Sequence, residues 1–234
     1  MSLSRRQFLR RGAAGILGVT AAGPLAGKVR AGGYVPVGMD VSHYQGAIDW
    51  DTVSAYMNFA IVKATEGTGY QDPYFNWNWS EMARVGVIRG AYHFARPNLD
   101  PFDQADFFLN VVQPQSGDIQ VCLDLEVTGG LRPADLWAWV QNFVAEIQYW
   151  TGLSPCIYTS PSFWINQVGN PLDNLDCPLW IAHWGVSRPT VPRAWSTWTF
   201  WQYTSTGSVP GVAGSVDRDN FNGDISRLWL LTYP

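Results

Sequence analysis

Short apolar runs alternate with segments of helical period along nearly the whole chain, and that alternation restricts the fold to a largely parallel sheet clothed in helices. The runs cover residues 37–43, 59–65, 87–95, 119–127, 155–159, 179–184 and 197–203. Each is rich in β-branched or aromatic residues and bounded by Gly, Pro, Asp or Asn, which predicts strands. Helices are expected from Asp49 towards Met57 and over 76–85, 103–112 and 133–150. The last has Pro133 in its first turn, Leu136, Val140, Phe143, Val144 and Ile147 on one face, and Gly152 to stop it. Seven strands, with an eighth available over 216–221, favour a (β/α) barrel of the α/β class over an open doubly wound sheet. Helical stretches shorten in the second half, so an irregular barrel is expected. A chain of 234 residues without linker or repeat suits one domain.

Residues 1–31 do not fit that pattern. Ser4-Arg5-Arg6-Gln7-Phe8-Leu9 is a twin-arginine export pattern, and Arg10-Arg11 and a mildly apolar run over 12–27 follow it. The run is too short and too Gly-rich to span a membrane stably. Val29-Arg30-Ala31 suits a signal peptidase, so cleavage after Ala31 is expected, with residues 32–234 as a secreted or periplasmic catalytic barrel lacking a membrane span. A basic amphipathic arm is the alternative.

Formal net charge is -4, which offers no basic surface for nucleic acid. Thirteen Trp, ten Tyr and eleven Phe exceed what a core of this size needs, and flat rings suit sugar faces as well as cores. Cys122, Cys156 and Cys177 lack metal-ligand spacing, so no metal is expected. Any bridge is expected between Cys156 and Cys177, at the starts of adjacent strands, with Cys122 a buried thiol. No GxGxxG or P-loop pattern calls for a nucleotide, so no cofactor is expected.

In a parallel barrel, reacting groups gather where strands end. Asp124 and Glu126 lie two apart near the end of one run, so the strand period puts both on one face, with Leu123 and Leu125 opposite. Their Cα atoms are expected about 6 to 7 Å apart, close enough for repulsion to raise one pKa and leave an acid beside a base. Glycoside hydrolysis uses such a pair; a structural salt bridge is the alternative. Asp40 ends the first run and Asp217 stands in the last. First and last strands of a closed barrel are neighbours, so these two join the pair in one acidic cleft, although singly each could be a cap or turn residue.

Residues from Val37 to about Asp224 resemble the glycoside hydrolase family 25 muramidases, the Chalaropsis-type lysozymes. The resemblance rests on Gly38-Met39-Asp40-Val41-Ser42-His43-Tyr44-Gln45-Gly46, Val62-Lys63-Ala64-Thr65-Glu66-Gly67, Gly90-Ala91-Tyr92-His93-Phe94, Leu123-Asp124-Leu125-Glu126, Ile157-Tyr158-Thr159-Ser160, Leu179-Trp180-Ile181-Ala182, Phe200-Trp201-Gln202-Tyr203 and Val216-Asp217, in the family's order. It implies cleavage of the β-1,4 bond from N-acetylmuramic acid to N-acetylglucosamine in peptidoglycan strands by a barrel enzyme without metal or organic cofactor. By position, Glu126 resembles the general acid, Asp124 its paired carboxylate, and Asp40 and Asp217 the acids of the first and last strands. Arg218-Asp219 departs from the family's usual aliphatic residue and Asn, leaving open whether Asp217 or Asp219 enters the cleft.

Strand parity puts Tyr92 and Phe94 towards the cleft and His93 opposite, either under the helices or functional. Tyr158 could meet the substrate or be a core tyrosine. Trp180, Trp184 and Gln202 complete the expected substrate-binding set, with at least one Trp a sugar platform. Glu66 either lines the cleft or, slightly preferred, caps the next segment. The enzyme is expected to act as a monomer. Competing readings are a chitinase-like glycosidase, disfavoured because Asp118 is the only acid just before Asp124, and an inactive glycan-binding barrel.

Overall fold

Nine strands and six helices follow one another in the computed structural model, which describes residues 35–234; the export pattern and the cleavage site after Ala31 lie outside the described residues. The strands are β1 (Val37–Val41), β2 (Phe59–Glu66), β3 (Tyr70–Gln71), β4 (Ile88–Phe94), β5 (Cys122–Asp124), β6 (Cys156–Thr159), β7 (Leu179–Ala182), β8 (Phe200–Gly207) and β9 (Val216–Phe221). The helices are α1 (Trp50–Val53), α2 (Phe75–Val85), α3 (Pro101–Val112), α4 (Pro133–Thr151), α5 (Pro161–Asn166) and α6 (Ile225–Trp229).

Local chemistry sets these limits. Pro101 and Pro133 start α3 and α4 where a missing N–H costs nothing, and Asp100 caps α3 through the Phe102 and Asp103 amides. Gly152 ends α4 at φ 74°, a left-handed conformation that glycine adopts without strain. The helix expected from Asp49 towards Met57 is regular only over α1 and continues as turns.

Eight strands close into a barrel in the order β1-β9-β8-β7-β6-β5-β4-β2, with β1 pairing to β2, while β3 is a short antiparallel addition to β2. Pairs from β1 to β2 and from β2 through β8 are parallel, as the alternation implies. The last strand differs, because β9 runs antiparallel to both β8 and β1. Residues 208–215 join β8 to β9 without a helix, and a short connection can only return antiparallel. The start of β9 therefore lies at the end of the barrel where the parallel strands finish.

Parity sorts the core. Phe59, Ile61, Cys122, Tyr158, Trp180, Phe200 and Phe221 fill the barrel, whereas Met39, Val62, Leu123, Ile157 and Ile181 face the helices. Leu228 of α6, fully buried in the inner cluster, closes the end opposite the cleft. All three cysteines are free and buried. The expected pairing of Cys156 with Cys177 is not the one the strands favour: Cys156 stands directly across from Cys122 inside the barrel, and Cys177 packs in the outer layer.

Gly38 shows how tightly the interior is filled, since a Cβ there would lie 2.3 Å from the Phe59 ring. Replacing Gly38 with Ala should lower unfolding free energy by about 1–3 kcal/mol through overpacking. Denaturant melts check this, and a wild-type midpoint would contradict the packing described.

Candidate active site

Inward-facing side chains near the strand ends make one acidic basin. Asp124, the last residue of β5, is only 5% exposed, and Glu126, two residues on, stands in solvent at the mouth. Burial chiefly, then the charge of Glu126 and a carboxyl–carboxyl hydrogen bond to it, push the Asp124 pKa well above the ordinary range, while Lys63 pulls it down. Asp124 Oδ1 is buried and meets no donor among the described residues, so burial favours the neutral carboxyl there. The expected raised acid is present, on the inner member of the pair.

Asp40 and Asp217 face each other across the antiparallel β1–β9 pairing. Strand parity turns Asp219 inward as well, so both acids of β9 face the interior, Asp217 towards the mouth and Asp219 one pleat deeper and fully buried. Burial, then the charge of Glu126, raises Asp217 to about 6. Burial also raises Asp40, reinforced by the charges of Asp219 and Asp217, against a hydrogen bond from Gln202.

Gln202 is a junction. Its Nε2 donates to Asp40 Oδ2 at 2.7 Å, and its Oε1 accepts from the Tyr158 hydroxyl and from Trp184 Nε1, both at 3.0 Å. With 2% exposure, Gln202 holds other groups in place. Trp184 is 52% exposed and offers an open ring face; Trp180 is 1% exposed, packed edge-on against Tyr158 and Tyr92, and donates to Asp219. A cavity of about 610 Å³ runs from Glu126 past Tyr158 to Phe163, His183 and Trp184.

Opposite that cavity stands a feature the sequence reading missed. Lys63 is buried inside the barrel, donates to Glu66 at 2.6 Å and lies 4.9 Å from the centre of the Phe94 ring. Arg96 also donates to Glu66, from Nε at 2.8 Å. Burial alone would raise Glu66, but the bonds from Lys63 and Arg96 outweigh it and hold its pKa down. Glu66 is thus an ionised bridge, not the expected cap. A lysine three residues before an acid on a largely apolar strand was the available signal, obscured by the register shift between Lys63 and Thr65. Tyr92 and Phe94 face the interior, while His93 lies under the helices, bonded to Thr65 and Gln104 and stacked on Phe143. Burial lowers the His93 pKa to about 4, which keeps it neutral and structural. Among the described residues no group of three His, Cys, Asp or Glu side chains is placed to hold a metal ion.

Glycosyl hydrolases family 25 matches residues 39–212. Lysozyme M1 of Streptomyces globisporus is 45% identical over 206 residues, an alignment covering 83% of this chain and 70% of that protein. An N,O-diacetylmuramidase of a Chalaropsis species is 36% identical over 201 residues, covering 77% and 95%. The crystal structure of a bacterial lysozyme from Streptomyces coelicolor superposes with a TM-score of 0.82 at 42% identity, covering 86% of this chain and 98% of that one.

Gln202→Met would strip Asp40 and the Tyr158 hydroxyl of their shared partner. Orphaned buried groups cost about 1–3 kcal/mol each, so a stability loss of at least about 2 kcal/mol is expected in urea unfolding. An unchanged midpoint would mean that the junction contributes little.

Proposed function

The chain belongs to glycosyl hydrolases family 25, and from that premise we propose that it is a lysozyme, hydrolysing the β-1,4 bond between N-acetylmuramic acid and N-acetylglucosamine in peptidoglycan with retention of configuration. The observation that carries this reading is the buried Asp124 carboxyl, its pKa raised, two residues from the exposed Glu126 at the head of an open cleft.

The roles follow from reach. Glu126 stands at the mouth, where it can give a proton to the glycosidic oxygen as the C1–O bond breaks. Asp124 rises from the same wall, so it is badly placed to attack the opposite face of the sugar. The substrate supplies that nucleophile: its 2-acetamido oxygen bonds to C1, and the amide nitrogen gains positive charge. Asp124, kept protonated by burial, passes its proton to Glu126 and is left anionic, positioned to bind the acetamido N–H and stabilise that charge. Glu126, now a carboxylate, takes a proton from the water that reopens the ring at C1. Asp40 and Asp217 act as electrostatic supports; in the alternative, one of them would activate a water from across the barrel and configuration would be inverted, a role for which Asp40 is poorly placed because Gln202 engages it beneath the surface.

Trp184 provides the sugar platform, with Tyr92, Phe94 and Tyr158 shaping the cleft. The basin is complete within one chain, which supports action as a monomer. Export through the twin-arginine pattern of residues 1–31 would bring the enzyme to its substrate. Among the described residues no helix is long and apolar enough to cross a membrane.

Glu126→Gln keeps shape and removes the transferable proton. Turnover of peptidoglycan should fall by more than about 10²- to 10⁴-fold with an unchanged circular dichroism spectrum, and a folded variant that still lyses walls would remove Glu126 from the mechanism. NMR of the first-formed product should show the β-anomer; initial α-anomer would defeat assistance by the acetamido group and leave the hydrolase assignment standing.

A further inference from the structure

Asp219 is a fully buried carboxyl for which the reaction above has no use. It lies across from Gly38 on β1 and Gln202 on β8, one pleat below Asp217. Its Oδ1 accepts from Trp180 Nε1 at 2.7 Å, while Oδ2 is buried and meets no donor. Asp40 is its diagonal neighbour across the β1–β9 pairing, two residues along from Gly38 and therefore on the same inner face. Two buried carboxylates on one face of adjacent strands would repel each other and leave Asp219 Oδ2 unsatisfied, whereas a carboxyl and a carboxylate can make a strong bond.

We propose that Asp40 and Asp219 hold one proton between them, making Asp219 a positioning residue that fixes Asp40 and limits that wall of the cleft to a single negative charge. The surroundings favour such sharing. The donors that touch the two groups, Trp180 and Gln202, are uncharged. Asp217 faces them from the same side of β9 and adds negative charge, and Arg218, on the opposite face of β9, opposes it. The remaining titratable groups of the interior are the Cys156 thiol and Tyr158 hydroxyl on β6, Cys122 and Asp124 on β5, Tyr92 on β4, and Lys63 on β2, with Glu126 at the mouth. Of these, only Lys63 is cationic, and it is paired to Glu66. Burial, less the bond from Trp180, raises Asp219 to about 7.

Asp219→Asn separates this account from a purely structural one, because the amide still donates towards Asp40 and cannot ionise. A carboxyl whose folded-state pKa is raised stabilises the fold below its unfolded value, and that stabilisation disappears as pH rises through the folded value. Wild type should therefore lose Tm relative to the Asn variant as pH climbs from about 4 to about 7. A difference in Tm that stays flat with pH overturns the proposal. The second readout rests on the function proposed above: the alkaline limb of kcat on purified peptidoglycan should move up by about one pH unit in Asp219→Asn. An unmoved limb likewise overturns the positioning role. If neither protein turned over peptidoglycan at any pH, the function assignment would fall, and the Tm comparison would still decide where the proton is.

Discussion

Crowding carboxyl groups into the end of a closed barrel is the constraint on which the site depends. Moving one anion out of water costs several kcal/mol, and like charges within hydrogen-bonding distance cannot all ionise. The protein meets that cost by burying carboxyls whose pKa rises and by placing a cation where an anion must persist. Asp124 is raised by burial and by Glu126, Asp40 by burial and by Asp219, and Glu66 is kept ionised between Lys63 and Arg96. An acid and a base can then coexist near neutral pH in one cleft.

The barrel's irregular closure makes this arrangement possible. A final strand reached by a helical crossover would run parallel and begin at the far end. Because β9 returns antiparallel, its first residues lie at the mouth, with Asp217 opposite Asp40 and Asp219 opposite Gly38. Glycine at 38 leaves the space that the Phe59 ring occupies, so the floor below the acids stays packed. Above it, Gln202 ties Asp40 to Tyr158 and to the exposed Trp184. Asp40 and the open Trp184 ring are thereby held by one amide.

Much of this was legible in the sequence because a strand has a period of two. That period put Asp124 with Glu126, separated Tyr92 and Phe94 from His93, and could have shown that Asp217 and Asp219 share a face. Helix α4 was marked by Pro133 and Gly152, residues whose backbone demands are local. Less local features escaped. The direction of β9 depends on the lack of a crossover helix, which a rhythm of strand and helix does not register. Lys63 was hidden by the irregularity at Thr65, and Glu66 looked like a cap because its partner Arg96 is thirty residues away. Trp180 and Trp184 had the same parity, but only three-dimensional packing distinguishes the buried support from the open ring.

The central claim is that this basin cuts peptidoglycan at one kind of bond. Mass spectrometry of borohydride-reduced digest products tests it most directly, since reduction marks the sugar whose anomeric carbon was released. The account predicts products ending in reduced N-acetylmuramic acid. Products ending in reduced N-acetylglucosamine, or cleavage of chitin oligomers with peptidoglycan left intact, would contradict it.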